Sequence, residues 1–516
     1  MTLRTGRGSA AGIDQAMAQT DFPKQFGNLT HPFLDEDGDK LREECGVFGA
    51  INAEKASAAT ALGLHALQHR GQEAVGITSF NGTEFISRRG LGHVADNFSS
   101  QEAIAELPGH MAAGHVRYST TGGAGLRNVQ PLYAELASGG FAIAHNGNIS
   151  NAQALRKDLV GKGSIFQSTS DTEVIIHLVA TSRYPTVADR LIDALRLVEG
   201  AYALIVMTPE GMIACRDPLG IRPLVMGRMG DAILFASESV AFDVVGAELI
   251  REVEPGEMLQ VDFDGEISSV HPFGSPKPRP CIFEHVYFSR PDSTFAGHSV
   301  YEARKAIGKE LAIESPCDVD LVVPVPDSGV PAAIGYAQQS GIPFELGIIR
   351  SHYVGRTFIQ PSDSARHAGV KRKHNANRGL VAGKRIVLID DSIVRGTTSL
   401  KIVEMMREAG ASEVHFRVAS PPTAHSCFYG VDTPERSKLL AARMELDPMR
   451  DFIKADSLAF ISIDGLYRAV GAKGRDKSCP QFCDACFTGD YPTSLTDLAQ
   501  TEQKSAQLPF ADPKAA

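Results

Sequence analysis

The segment IVLIDDSIVRGTT (386–398) sets a short apolar run before two adjacent acids, Asp390 and Asp391. A loop carrying Arg395, Gly396, Thr397 and Thr398 follows them. Successive backbone N–H groups at the start of a helix hold a phosphate, and the two hydroxyls add donors. The acids suit ribose hydroxyls or a hydrated Mg²⁺, which takes carboxylates together with substrate oxygens. An Asp-Asp pair alone would be no more than a helix cap. Strand, acids and Gly-Thr-Thr loop in that order point to a phosphate ligand. VPVPDSG (323–329) makes a second loop of this kind, with Asp327 and Ser328 between an apolar run and a helix-like stretch. Between the two lies HYVGRTFIQPSDSARHAGVKRKHNANRG (352–379), polar and basic through Arg356, Lys371, Arg372, Lys373 and Arg378. It reads both as a solvated loop and as a lid over a highly charged substrate.

Cys45 is chemically interesting because of what precedes and follows it. A cut between Glu44 and Cys45 would give the thiol a free α-amine with a pKa of about 7.7–8.0, a base near neutral pH. GHVRYSTTG (114–122), AHNGNISN (144–151) and SDTEV (170–174) then supply an Arg and an Asp for the charged ends of an amino acid. They also supply an Asn and a following Gly N–H for an oxyanion. Each motif alone also reads as a turn. His115 could serve as a base, but the α-amine already fills that role, so a structural role is preferred.

Of the eight cysteines, three fall in CPQFCDAC (479–486). CxxC is half a metal site, and Cys281 and Cys427 could complete it. Four thiolates suit Zn²⁺ or an iron–sulfur cluster, and the spacing does not choose between them. Cys215 and Cys317 read as packing residues.

The elements that must position these groups fall into two regimes. Residues 45–275 alternate clustered strand-like runs, such as CGVFGAIN (45–52), FAIAHNGNI (141–149), AYALIVM (201–207) and AILFASE (232–238), with helix-like stretches at 56–71 and 172–180. That mixture fits sheets sandwiched between helices. After the Pro/Gly-rich HPFGSPKPRP (271–280) the pattern becomes strand–loop–helix, which implies a parallel sheet covered on both faces. Residues 1–44 are read as a disordered leader, 276–490 as the second domain and 491–516 as a loose polar tail. A chain of 516 residues is expected to form two domains. The net charge of −10 gives no global attraction to nucleic acid or anionic membrane. No apolar run reaches the roughly 20 residues of a membrane span. With no export signal evident, the expected compartment is the cytoplasm and a disulfide framework is not expected.

IDDSIVRGTT resembles the signature of type I phosphoribosyltransferases, which bind phosphoribosyl pyrophosphate (PRPP) and Mg²⁺. The ordered motifs behind CGVFG, with HRGQE (69–73) and RDPLGIRPL (216–224), resemble the N-terminal-nucleophile glutaminases. Together, over roughly residues 45–490, they resemble the glutamine PRPP amidotransferase family. The resemblance implies an α/β chain: an αββα sandwich followed by a type I phosphoribosyltransferase sheet. It implies Cys45 as nucleophile, Asn146 and Gly147 as the oxyanion hole, and Arg117 and Asp171 as the glutamine site. It assigns Asp327, Ser328, Lys371, Asp390, Asp391, Arg395, Gly396, Thr397 and Thr398 to PRPP, with Ser328, Asp390 and Asp391 near Mg²⁺. It further implies ammonia passing between the sites, inhibition by purine nucleotides, and a homotetramer or homodimer. One branch of the family carries a leader and a [4Fe–4S] cluster, whose ligands match Cys281, Cys427, Cys483 and Cys486, with Cys479 spare. A sugar-phosphate-aminating amidotransferase and a non-catalytic PRPP-sensing regulator are the rival readings.

Overall fold

A computed structural model describes residues 45–118, 125–274, 276–350 and 374–499. The expected leader, the lid residues Arg356, Lys371, Arg372 and Lys373, and the tail from residue 500 lie outside the described residues.

Strand Gly46–Ile51 has apolar side chains on both faces because both faces are covered. It lies inside a seven-stranded antiparallel sheet, between Ala232–Ala236 on one side and Met111–Arg117 on the other. Phe48 and Ala50 pack with Leu64 of helix Ala56–Ala66. Val47 and Ile51 point the other way, against Ala203, Ile205 and Met207 of a second sheet. That six-stranded antiparallel sheet contains Gly139–Ile149 beside Gly200–Thr208. Its outer residues Phe141, Ile143, Tyr202 and Leu204 bury against helices Thr172–Thr181 and Val187–Leu195. The period-two alternation of a strand thus serves two cores at once, and the layers run helix, sheet, sheet, helix.

The second half is built on four parallel strands in the order Leu321–Pro324, Arg385–Asp390, Glu413–Val418 and Ser457–Phe460. Ile386 and Leu388 pack with Ile402, Val403 and Met406 of helix Thr397–Glu408. Val387 and Ile389 face Ile307 and Leu311 of helix Val300–Glu314, and Ala333 and Tyr336 of helix Val330–Ser340. Burial on both faces explains the unbroken IVLI run. No described helix is long and apolar enough to cross a membrane.

Two expectations need correction. The helix read over 56–71 stops at Ala66, and Gln68–Arg70 forms a separate 3₁₀ turn. That turn carries Arg70 into buried ion pairs with Glu238 and Glu284. Residues 491–499, expected to be loose, dock on the first half. Ser150 Oγ donates to Ser494 O at 3.1 Å and Thr496 Oγ1 to Glu199 at 2.7 Å. The Asp497 carboxylate accepts from Gln153 N at 2.8 Å and Ala154 N at 2.9 Å. The start of helix Ala152–Gly161 has no side-chain cap from its own Asn151, so a distant acid satisfies its N–H groups.

Candidate active sites and the interface between them

Cys45 is half-buried at the head of strand Gly46–Ile51, its Sγ 3.4 Å from Tyr118 O. Gly46 pairs with Val116, so one step on Cys45 stands level with Arg117. Burial pushes the thiol up to about 11, against the pull of a backbone hydrogen bond at Tyr118 and of the Arg117 charge. The resting group is therefore the neutral thiol, which needs a base before it can attack.

Asn146 and Gly147 lie on the facing sheet, in strand Gly139–Ile149. Asn146 is fully buried; its Nδ2 donates to Ser237 Oγ at 3.3 Å, and the same hydroxyl accepts from Val47 N at 3.0 Å. Ser237 thus ties the strand that follows Cys45 to the Asn146 amide across the sandwich. Gly147 has φ +145°, and a Cβ there would stand 2.0 Å from Ala201 O, so only glycine fits.

Asp171 precedes helix Thr172–Thr181, accepting from Thr172 N at 2.9 Å and from Ile149 N at 3.0 Å. The Thr172 hydroxyl meets His145 Nδ1 at 3.0 Å, and Gln130 bonds both Thr172 Oγ1 and His145 N. His115 is fully buried with Nε2 3.1 Å from His145 O, and burial holds its pKa down to about 3. A neutral, enclosed imidazole fits the structural role.

Asp390 and Asp391 are buried at the carboxyl end of the second parallel strand. The Ser328 hydroxyl donates to Asp391, and Asp327 is ion-paired with Arg350. Parallel pairing of Pro324 with Ile389 brings both loops out at one edge, where such sheets bind ligands. Gly396 precedes helix Thr397–Glu408, and Thr397 Oγ1 is buried with no partner among the described residues.

Cys281, Cys427, Cys483 and Cys486 line one small cavity, walled by Ile221, Phe283, Phe288, Tyr429 and Val431. The backbones of Cys281 and Cys483, both free thiols, pair in a short parallel β-bridge, with Ile282 N donating to Cys483 O at 3.1 Å. Burial raises all four thiols. Cys479 is not among the lining residues.

The two halves meet across a buried ionic lattice. Glu284 accepts from Arg70 at 2.6 Å and from Arg222 at 2.6 Å, while Arg70 also bonds Glu238. The loop carrying Cys427 reaches strand Gly139–Ile149: Asn148 Nδ2 donates to Phe428 O at 2.9 Å, and a Cβ on Gly430 would lie 3.1 Å from Gly147. Glu238, Glu284 and Ser237 escaped the sequence reading. ASES (236–239) and FEH (283–285) match no chemical motif, and a glutamate gives no sign of burial until its arginines are located.

Two family models match: a glutamine amidotransferase domain over residues 115–244 and a phosphoribosyl transferase domain over 300–423. The amidophosphoribosyltransferase of Rhizobium etli is 57% identical over 479 residues, 91% of this chain and 96% of the relative. That of Bacillus subtilis is 50% identical over 456 residues, 88% of this chain and 95% of its own. The solved structure of glutamine PRPP amidotransferase from B. subtilis, complexed with ADP and GMP, superimposes with a TM-score of 0.82 at 49% identity. The superposition covers 87% of this chain and 98% of that one.

Proposed function

This chain belongs to the amidophosphoribosyltransferase family, and from that premise we propose how its residues divide the work. The enzyme is a glutamine-dependent amidotransferase and pentosyltransferase of the first step of purine biosynthesis. PRPP, glutamine and water become phosphoribosylamine, glutamate and pyrophosphate.

In the proposed division, Cys45 Sγ attacks the glutamine amide carbon as its own α-amine, freed by removal of residues 1–44, takes the thiol proton. Asn146 Nδ2 and the Gly147 N–H receive the oxyanion. Arg117 binds the α-carboxylate and Asp171 the α-ammonium. Collapse passes the amine's proton to the departing nitrogen and leaves a glutamyl thioester, which water hydrolyses. The ammonia then attacks the ribosyl carbon of PRPP and pyrophosphate departs. Ammonia released into bulk water would be protonated and lose its nucleophilicity, so the reading includes transfer between the two sites.

Arg395, Gly396, Thr397 and Thr398 hold phosphate at the helix start, and the orphaned Thr397 hydroxyl supports that reading. Ser328, Asp390 and Asp391 form a set of hard oxygens that fits Mg²⁺. Bound there, Mg²⁺ supplies positive charge against the leaving pyrophosphate. Four soft thiols around one apolar cavity fit a [4Fe–4S] cluster with a structural role, fastening Cys483 and Cys486 to the loop of Cys427. Purine nucleotides are proposed as inhibitory ligands by likeness to the B. subtilis complex, with a homotetramer or homodimer as the assembly and the cytoplasm as the compartment.

The observation that carries the reading is Ser237 bonded at once to the strand of Cys45 and to Asn146. The test measures glutamate release and phosphoribosylamine formation from glutamine and from ammonia, with and without PRPP. Cys45→Ala should lose the glutamine reaction and keep the ammonia reaction. Loss of both, in a folded protein, would overturn the division.

A further inference from the structure

Three consecutive residues after strand Ala232–Ala236 face three different neighbours. Ser237 Oγ holds Asn146 Nδ2. The Glu238 carboxylate takes Arg290 N at 2.8 Å and Ser293 Oγ at 2.7 Å from the second half, beside His69 and Arg70 of the first. Ser239 Oγ accepts from Thr294 N at 2.9 Å. The turn 290–294 is therefore gripped by the two residues that follow the one touching Asn146.

That turn is tied to helix Val300–Glu314, since Val300 N donates to Ser293 O at 3.0 Å and Tyr301 N to Pro291 O at 3.0 Å. Arg304 on the same helix is buried, donates to Ser289 O at 2.7 Å and feels the charge of Asp391. Ile307 and Leu311 of this helix pack on Val387 and Ile389 of the strand that ends at Asp390, so packing on that side and hydrogen bonds on the other join the strand of the two acids to Asn146. Close-packed interiors transmit small displacements along such chains.

We propose that Ser237–Glu238–Ser239 is the positioning link through which PRPP bound in the second half aligns Asn146 for glutamine hydrolysis in the first. The proposal rests on the assignments of Asn146 and the phosphate loop made above. Ser239 touches neither substrate; it acts through the turn it holds.

The test uses full-length, processed enzyme and reads kcat and KM for glutamate release with and without PRPP, alongside ammonia-dependent synthesis. Ser239→Ala removes the two hydrogen bonds from Thr294, one from its N at 2.9 Å and one from its Oγ1 at 3.4 Å. It should cut the PRPP stimulation of kcat by about threefold to tenfold, with little change in KM for glutamine. Basal hydrolysis and ammonia-dependent synthesis should stay as in the parent, and Ser239→Thr, which keeps the hydroxyl, should restore the stimulation. Full stimulation in Ser239→Ala overturns the link, as does an equal loss of the ammonia reaction. A parent enzyme whose hydrolysis ignores PRPP overturns it too. A parent unable to use ammonia and PRPP would instead refute the functional reading.

Discussion

Arg70 and Glu284, 214 positions apart, form a buried two-point ion pair, with Nη2–Oε2 at 2.6 Å and Nη1–Oε1 at 3.3 Å. Arg70 ends a turn of the glutaminase half and Glu284 opens the phosphoribosyl half. Arg222 shares the same carboxylate. Glu284→Gln leaves two buried guanidinium groups facing one fewer charge. It should destabilise the protein by about 3–5 kcal/mol, because a broken buried pair strands its partners. Equilibrium unfolding in urea measures this; parental stability in the variant would show that the lattice is energetically neutral.

Gly147→Ala tests the oxyanion strand. The added Cβ collides with Ala201 O, so the peptide must move away from its present orientation. Glutamine hydrolysis should fall by about a hundredfold or more, the typical loss when an oxyanion donor is removed. Ammonia-dependent synthesis should persist. A variant that hydrolyses glutamine at the parental rate would remove Gly147 from the mechanism.

The pH profile follows from the thiol. Burial raises the Cys45 pKa to about 11, so across neutral pH the thiol keeps its proton, and in the proposed division the α-amine accepts it. An α-amine ordinarily titrates at about 7.7–8.0 and is blocked by its own proton below that range. Glutamine hydrolysis should therefore rise as pH increases through about 8 and then level off, well before the thiol itself ionises. A profile that is flat from pH 6 to 9 would argue for another base.

For the thiol cavity, purified protein should be brown and hold iron and inorganic sulfide in equal amounts. Cys427→Ser should lose the colour, and Cys479→Ser should keep it. Because the Cys427 loop bonds Asn148 through Phe428 O, glutamine hydrolysis should fall with the colour. Colourless, zinc-loaded and fully active enzyme would sink the assignment.

The linear order of residues determined much of this protein by itself. IVLI followed by Asp390 and Asp391 announced a doubly covered parallel strand ending in two acids, because an apolar run is a local property. Cys45, Arg117, Asn146, Gly147 and Asp171 were grouped only by the order of their motifs and the family resemblance, since each motif alone also reads as a turn. Four cysteines were legible as a possible site, and the enclosing cavity needed the fold. Tertiary structure alone decided the connections. Ser237 reads as any serine after a strand until antiparallel pairing sets Ala236 opposite Phe48 and the facing sheet supplies Asn146. Glu238 and Glu284 read as surface acids until arginines from distant segments arrive to pair with them. Asp497 reads as part of a loose tail until the uncapped helix Ala152–Gly161 draws it in. Burial of a charge depends on partners far away in sequence, and no local pattern records where those partners come to rest.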